Sequence, residues 1–75
     1  MRLIDILYLL EAHTKVSIFR VKRSMCTTWA KEDEIFINSD YSINFLNRIN
    51  DELLEKHILG MEVFDDMLKI VLEGD

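Results

Sequence analysis

Between Leu3 and Leu10 the chain sets apolar side chains at Leu3, Ile6, Leu7 and Leu10, the spacing of one helix face. Ile4, Tyr8 and Leu9 widen that stripe, leaving Arg2, Asp5 and Glu11 as its wet edge. The spacing predicts a helix over 2–12. A stripe this wide has to be covered by a sheet or by a partner. In a chain of 75 residues that requirement leaves room for one core and one domain. His13 and Thr14 are expected to close the helix, where a protonated His13 would suit the negative end of its dipole.

Lys15–Lys22 (KVSIFRVK) is rich in β-branched and aromatic residues and reads as a strand. Residues 23–31 lack clear periodicity and read as a long loop, and Glu34–Asn38 (EIFIN) reads as a second strand. Over 39–49 two patterns compete. Phe45, Ile49 and Leu53 have helical spacing, but the surrounding Asn and Ser residues are poor helix formers, so Tyr41–Leu46 is read as a strand. Asn50 is expected to cap a short helix over 51–57, with Asp51 and Glu52 in its first turn. Gly60 then releases the chain into a β-hairpin. In that hairpin Met61–Phe64 and Leu68–Leu72 flank an Asp65-Asp66 turn. The expected architecture is a single α+β domain over residues 1–75. It has one small antiparallel sheet, an N-terminal helix and a second short helix on one face, and a C-terminal hairpin. Residues 23–40 read as an insertion or mobile loop.

Hydrophobic residues make up 49% of the chain, Pro is absent and Gly occurs twice, which argues against a disordered or linker-like chain. The single Cys26 cannot form an internal disulfide and points to a reducing compartment. Asp5 interrupts the opening apolar run, which is too short to span a bilayer, so a cytoplasmic chain without membrane attachment is expected.

Charge is laid out unevenly. Residues 1–31 carry six basic side chains against two acidic ones, and residues 32–75 carry twelve acidic against three basic, within a net charge of −5. Such asymmetry bears on what the surface can meet, not on the fold.

The opening RLIDILYLLEAHTKVSIF and the closing INDELLEKHILGMEVFDDMLKIVLE resemble short proteins of phages and mobile elements of Gram-positive bacteria. Those proteins open with a leucine-rich helix running into a Val–x–Ile–aromatic strand, and close with a Leu-Leu helical turn and a hairpin. Lys15–Phe19, Ile49–Leu54 and Leu68–Leu72 carry the resemblance, over roughly half the chain. Asn50 stands where that group usually has proline. Proteins of similar size and acidity include anti-CRISPR and other anti-defence inhibitors, so the resemblance implies an interaction partner in the host.

No motif specifies a reaction. His13, Cys26 and His57 lack the paired short spacings of zinc sites, and Cys26 has no base placed beside it in sequence. Carboxylates recur at Glu32-Asp33-Glu34, Asp51-Glu52, Glu55 and Asp65-Asp66, where exposed acids are ordinary. The basic stretch Arg20–Lys31, with Trp29, has the ingredients of a single-strand binder, but the acidic excess elsewhere opposes phosphate.

The expectation is therefore a small non-enzymatic, cofactor-free binding module that inhibits a host nucleic-acid-handling defence protein. Glu32, Asp33, Glu34, Asp51, Glu52, Glu55, Asp65 and Asp66 would imitate the charge of nucleic acid, with Trp29 as an apolar anchor. The alternative is a homo-oligomeric structural or accessory protein, joined through complementary halves or an open edge strand.

Overall fold

Leu3 and Leu7 are fully buried in the computed structural model, which describes residues 1–22, 30–48 and 51–74. They lie on helix α1 (Leu3–Leu9), whose first turn is closed by Asp5, its Oδ2 accepting from the Arg2 backbone N–H at 3.0 Å. Leu10 is already extended, so the helix stops short of His13 and Thr14. Tyr8 and Leu9 stand exposed; the buried stripe is narrower than the sequence pattern suggested.

The remaining elements are β1 (Lys15–Val21), a 3-10 turn (Lys31–Asp33), β2 (Glu34–Tyr41), α2 (Ser42–Arg48), α3 (Asp51–Leu54), β3 (Ile58–Phe64) and β4 (Met67–Leu72). The α+β class is as expected. The sheet is mixed, however, and not wholly antiparallel. Its order is β2-β1-β4-β3; β1–β2 and β3–β4 are antiparallel, but the central pair β1–β4 is parallel, with Ile18 beside Ile70. A parallel centre requires a helical crossover between the two antiparallel pairs, and α2 with α3 supplies it.

Residues 42–48 are therefore helix, not the strand expected over Tyr41–Leu46. Local propensity was overridden by the chain around 11–14. The Ser42 and Ile43 N–H groups, free at a helix start, donate to the carbonyls of Thr14 (2.8 Å) and Ala12 (3.1 Å). The buried Ser42 hydroxyl donates to the Glu11 carbonyl at 2.6 Å, and Phe45 turns into the core. The second helix occupies only Asp51–Leu54 of the expected 51–57.

Gly60 does not release a helix. It sits inside β3, where the register steps from Ile58↔Leu72 to Gly60↔Val71 and leaves Leu59 as a bulge. The hairpin turn is as expected, with Asp65 (φ 52°) and Asp66 (φ 61°) both left-handed, as a two-residue type I′ turn requires. Of the stretch 23–40 read as an insertion, residues 34–40 form most of β2, and the loop expected over 23–31 falls largely outside the described residues, as does the Asn50 cap.

Alternation divides the sheet into two faces. Val16, Ile18, Ile70 and Leu72 face the helices and form the core with Leu3, Leu7, Phe45 and Leu54. The other parity of the same strands, including Ser17, Phe19, Met67 and Lys69, points outward.

Candidate interaction surface

Lys69 organises the outward face. Its Nζ lies 2.6 Å from Glu34 Oε1 and 3.6 Å from Glu62 Oε1, and 4.9 Å from the centre of the Phe19 ring. Glu62 is its direct cross-strand neighbour on β3, whereas Glu34 is on β2, two strands away in the other direction. Neighbouring strands are about 4.8 Å apart, so the lysine stem extends over β1 to reach that carboxylate. Hydrogen bonding to Glu34 raises the Lys69 pKa, outweighing the opposing effect of desolvation; the charge of Glu62 adds to the rise. Held between these carboxylates, the ammonium links β4 to both β2 and β3.

Aromatic side chains surround this pair. Phe19 meets Phe36 edge to face, with ring centroids 5.4 Å apart, and Phe36 is 55% exposed. Phe64 is 70% exposed at the end of β3. Beyond them, Tyr41 is met edge to face by His13 at 5.8 Å. A cleft of about 180 Å³ lies between Phe19, Lys31, Phe64, Met67 and Lys69. That is below the roughly 300–1,000 Å³ of a typical small-molecule pocket.

The acidic residues singled out in the sequence fall in three places. Glu32, Asp33 and Glu34 stand where β2 begins, beside the end of β1 at Val21. Asp33 is occupied locally, its Oδ2 accepting from the Ala30 N–H at 3.2 Å, and Glu34 is committed to Lys69 and only 9% exposed. Glu32 is exposed. Asp65 and Asp66 are exposed at the hairpin tip, at the opposite end of the strands. Seven residues of strand put roughly 20 Å between these ends. Glu52 and Glu55 lie in and just after α3, on the helical side, where Glu55 Oε2 pairs with Arg2 Nη1 at 2.6 Å. The Asp51 side chain and Trp29 lie outside the described residues. The expected acids thus form no continuous track of charge among the described residues.

Sequence reasoning missed the outward aromatic face. Its signal was present: Met67, Lys69 and Val71 alternate with Leu68, Ile70 and Leu72, and a lysine inside an apolar strand marks the face that needs a counter-charge. Among the described residues no cluster of three His, Cys, Asp or Glu could hold a metal ion, and no helix is long and apolar enough to cross a membrane. Comparison with family models, with curated proteins and with solved structures returned no match.

Proposed function

We propose that this chain is a non-enzymatic protein-binding module that docks a host nucleic-acid-handling protein through the outward face of its sheet. The observation that supports the reading is the arrangement on that face: exposed Phe36 and Phe64 around a Lys69–Glu34 pair, with Glu32 at one end and Asp65-Asp66 at the other. Aromatic anchors inside a charged rim are the usual layout of a protein interface. The carboxylates at the two ends of this face, Glu32 and Asp65-Asp66, favour basic segments of a partner, such as the groove of a protein that binds DNA or RNA, beside the exposed Lys15 and Lys31. In this reading the acids steer and frame the contact rather than copy a phosphate backbone, and Glu52 and Glu55 stand outside it. The resemblance to small phage and mobile-element proteins is the support for a partner in a bacterial host, as an anti-defence inhibitor would require.

The test is capture from nuclease-treated lysate of a Gram-positive bacterium. The reading requires a nucleic-acid-binding protein that is displaced by competing oligonucleotide. It must be lost with the Phe36→Ala/Phe64→Ala variant and kept with Glu52→Lys/Glu55→Lys. A partner that ignores Phe36 and Phe64, or is lost only with the helical-side acids, would move the contact off the sheet.

A further inference from the structure

Two backbone amides on β2 donate to the side chain just before them. The Ser39 N–H gives to Asn38 Oδ1 at 2.8 Å, and the Tyr41 N–H to Asp40 Oδ1 at 2.7 Å. β2 is an edge strand, so these are amides that the ladder with β1 does not hold. A bulge at Ile37, where pairing steps from Ile18↔Asn38 to Phe19↔Phe36, interrupts the ladder just ahead of them. Asn38 and Ser39 are both exposed to water.

The Ser39 N–H points at the Asn38 side-chain carbonyl, so removing its proton leaves an in-plane electron pair aimed at that group. Oδ1 is bonded to Cγ, and a small rotation brings Cγ onto the nitrogen. Holding the reacting atoms this close to an attack geometry is what most speeds an intramolecular step. Ser39 is not β-branched and does not crowd the approach.

We propose that Asn38 is a site of spontaneous deamidation, set up by the bond its own side chain makes on the β2 edge. Hydroxide takes the Ser39 amide proton, and the nitrogen forms a bond to Asn38 Cγ. The Cγ–Nδ2 bond breaks, and Nδ2 leaves as ammonia after taking a proton from water, which returns the hydroxide. Water then opens the five-membered imide at either carbonyl, leaving aspartate or isoaspartate at position 38. Among the described residues the other asparagines lack this arrangement. Asn44 and Asn47 lie in α2, where the amides that follow them belong to the helical ladder, and Asn44 Nδ2 is tied to Asp40 Oδ1 at 2.8 Å. Asp40 shares the geometry, but its carboxylate charge repels the attacking nitrogen.

Either product adds a negative charge on the side of β2 that carries Asp40, two residues on. Isoaspartate also routes the backbone through an extra carbon and offsets Tyr41 from Lys15, its partner on β1. Asn38 pairs with Ile18 and has the parity of the helical side, so the modification is independent of the docking face proposed above.

Peptide mapping by mass spectrometry after incubation in mildly alkaline buffer tests this, with the chain folded and, in parallel, unfolded in guanidinium. In the folded chain the mass gain of an amide-to-acid change should appear at Asn38 about tenfold or more faster than at Asn44 or Asn47. Its rate at Asn38 should be no lower than in the unfolded chain. Part of the product should accept a methyl group from an isoaspartyl methyltransferase. Asn38→Gln, which would need a six-membered ring, should stay folded by circular dichroism and lose the gain at this position. An Asn38 that does not react, or that folding protects as strongly as Asn44 and Asn47, overturns the inference. So does a product containing aspartate alone, which would mean direct hydrolysis without the Ser39 nitrogen.

Discussion

Lys69 on β4 reaches across β1 to place its Nζ 2.6 Å from Oε1 of Glu34 on β2, tying an inner strand to a strand it does not pair with. The two side chains are 14% and 9% exposed, so each depends on the other for much of its charge compensation. Lys69→Met should destabilise the fold by about 1–3 kcal/mol, between the values for exposed and buried pairs. The Glu34→Gln/Lys69→Met double variant should recover part of that loss in thermal melts, since both ends of the contact are then neutral.

The same pair sets the alkaline limit. The Lys69 pKa is raised above its ordinary 10.5 chiefly by hydrogen bonding to Glu34, so folding favours the protonated form. Its contribution is fully present below the ordinary lysine value and is lost as pH rises through the higher folded value. Denaturant titrations should show the gap between wild type and Lys69→Met constant near neutrality and closing above about pH 10.5.

Asp5 acts at the acid end. Its carboxylate accepts from the Arg2 backbone N–H, which lowers its pKa below the ordinary 3.8. That stabilisation is present above the ordinary value and disappears as pH falls through the lower folded one. Asp5→Asn should lower the melting temperature at neutral pH, and the two proteins should converge below about pH 3.8.

The hairpin turn offers a gain. Asp65 and Asp66 both adopt positive φ, and glycine suits the second position of such a turn better than aspartate. Asp66→Gly should stabilise by about 0.5 kcal/mol, the relief of left-handed strain slightly exceeding the entropy cost of glycine. Because Asp66 also belongs to the proposed rim, the variant should melt higher and bind its partner less well.

Ser42 provides a test of the crossover. Its hydroxyl is buried and donates to the Glu11 carbonyl at 2.6 Å. Ser42→Ala should cost about 1–2 kcal/mol by leaving that carbonyl short of a donor. Hydrogen exchange should then speed up first at the Ser42 and Ile43 amides, which bond to the same segment.

Where local pattern decides structure, the sequence was readable. Leu3 and Leu7 announce α1 by spacing, β1 by its β-branched run, and Asp65-Asp66 by the alternation on either side. Residues 42–48 were misread because their helix depends on the carbonyls of Ala12 and Thr14, nearly thirty residues away, which no local propensity encodes. That one error removed the crossover and with it the parallel centre of the sheet. The acids were visible as a total charge, but their separation follows from strand direction: Glu34 starts β2 at the end where β4 finishes, while Asp66 precedes the start of β4.

The parallel pairing of Ile18 with Ile70 carries a kinetic consequence. The β3–β4 hairpin is local and can form within microseconds, but a lone hairpin is at best marginally stable in water. Its apolar face gains a core only when β1, some fifty residues earlier, is brought alongside. Closing so long a loop is an entropic step that precedes its reward, so refolding should be slow for a chain of this size and governed by one encounter. Substitutions at Ile18 or Ile70 should therefore alter the refolding rate more than equally destabilising changes at the hairpin tip, because the chain has no stable halfway point until β1 and β4 meet.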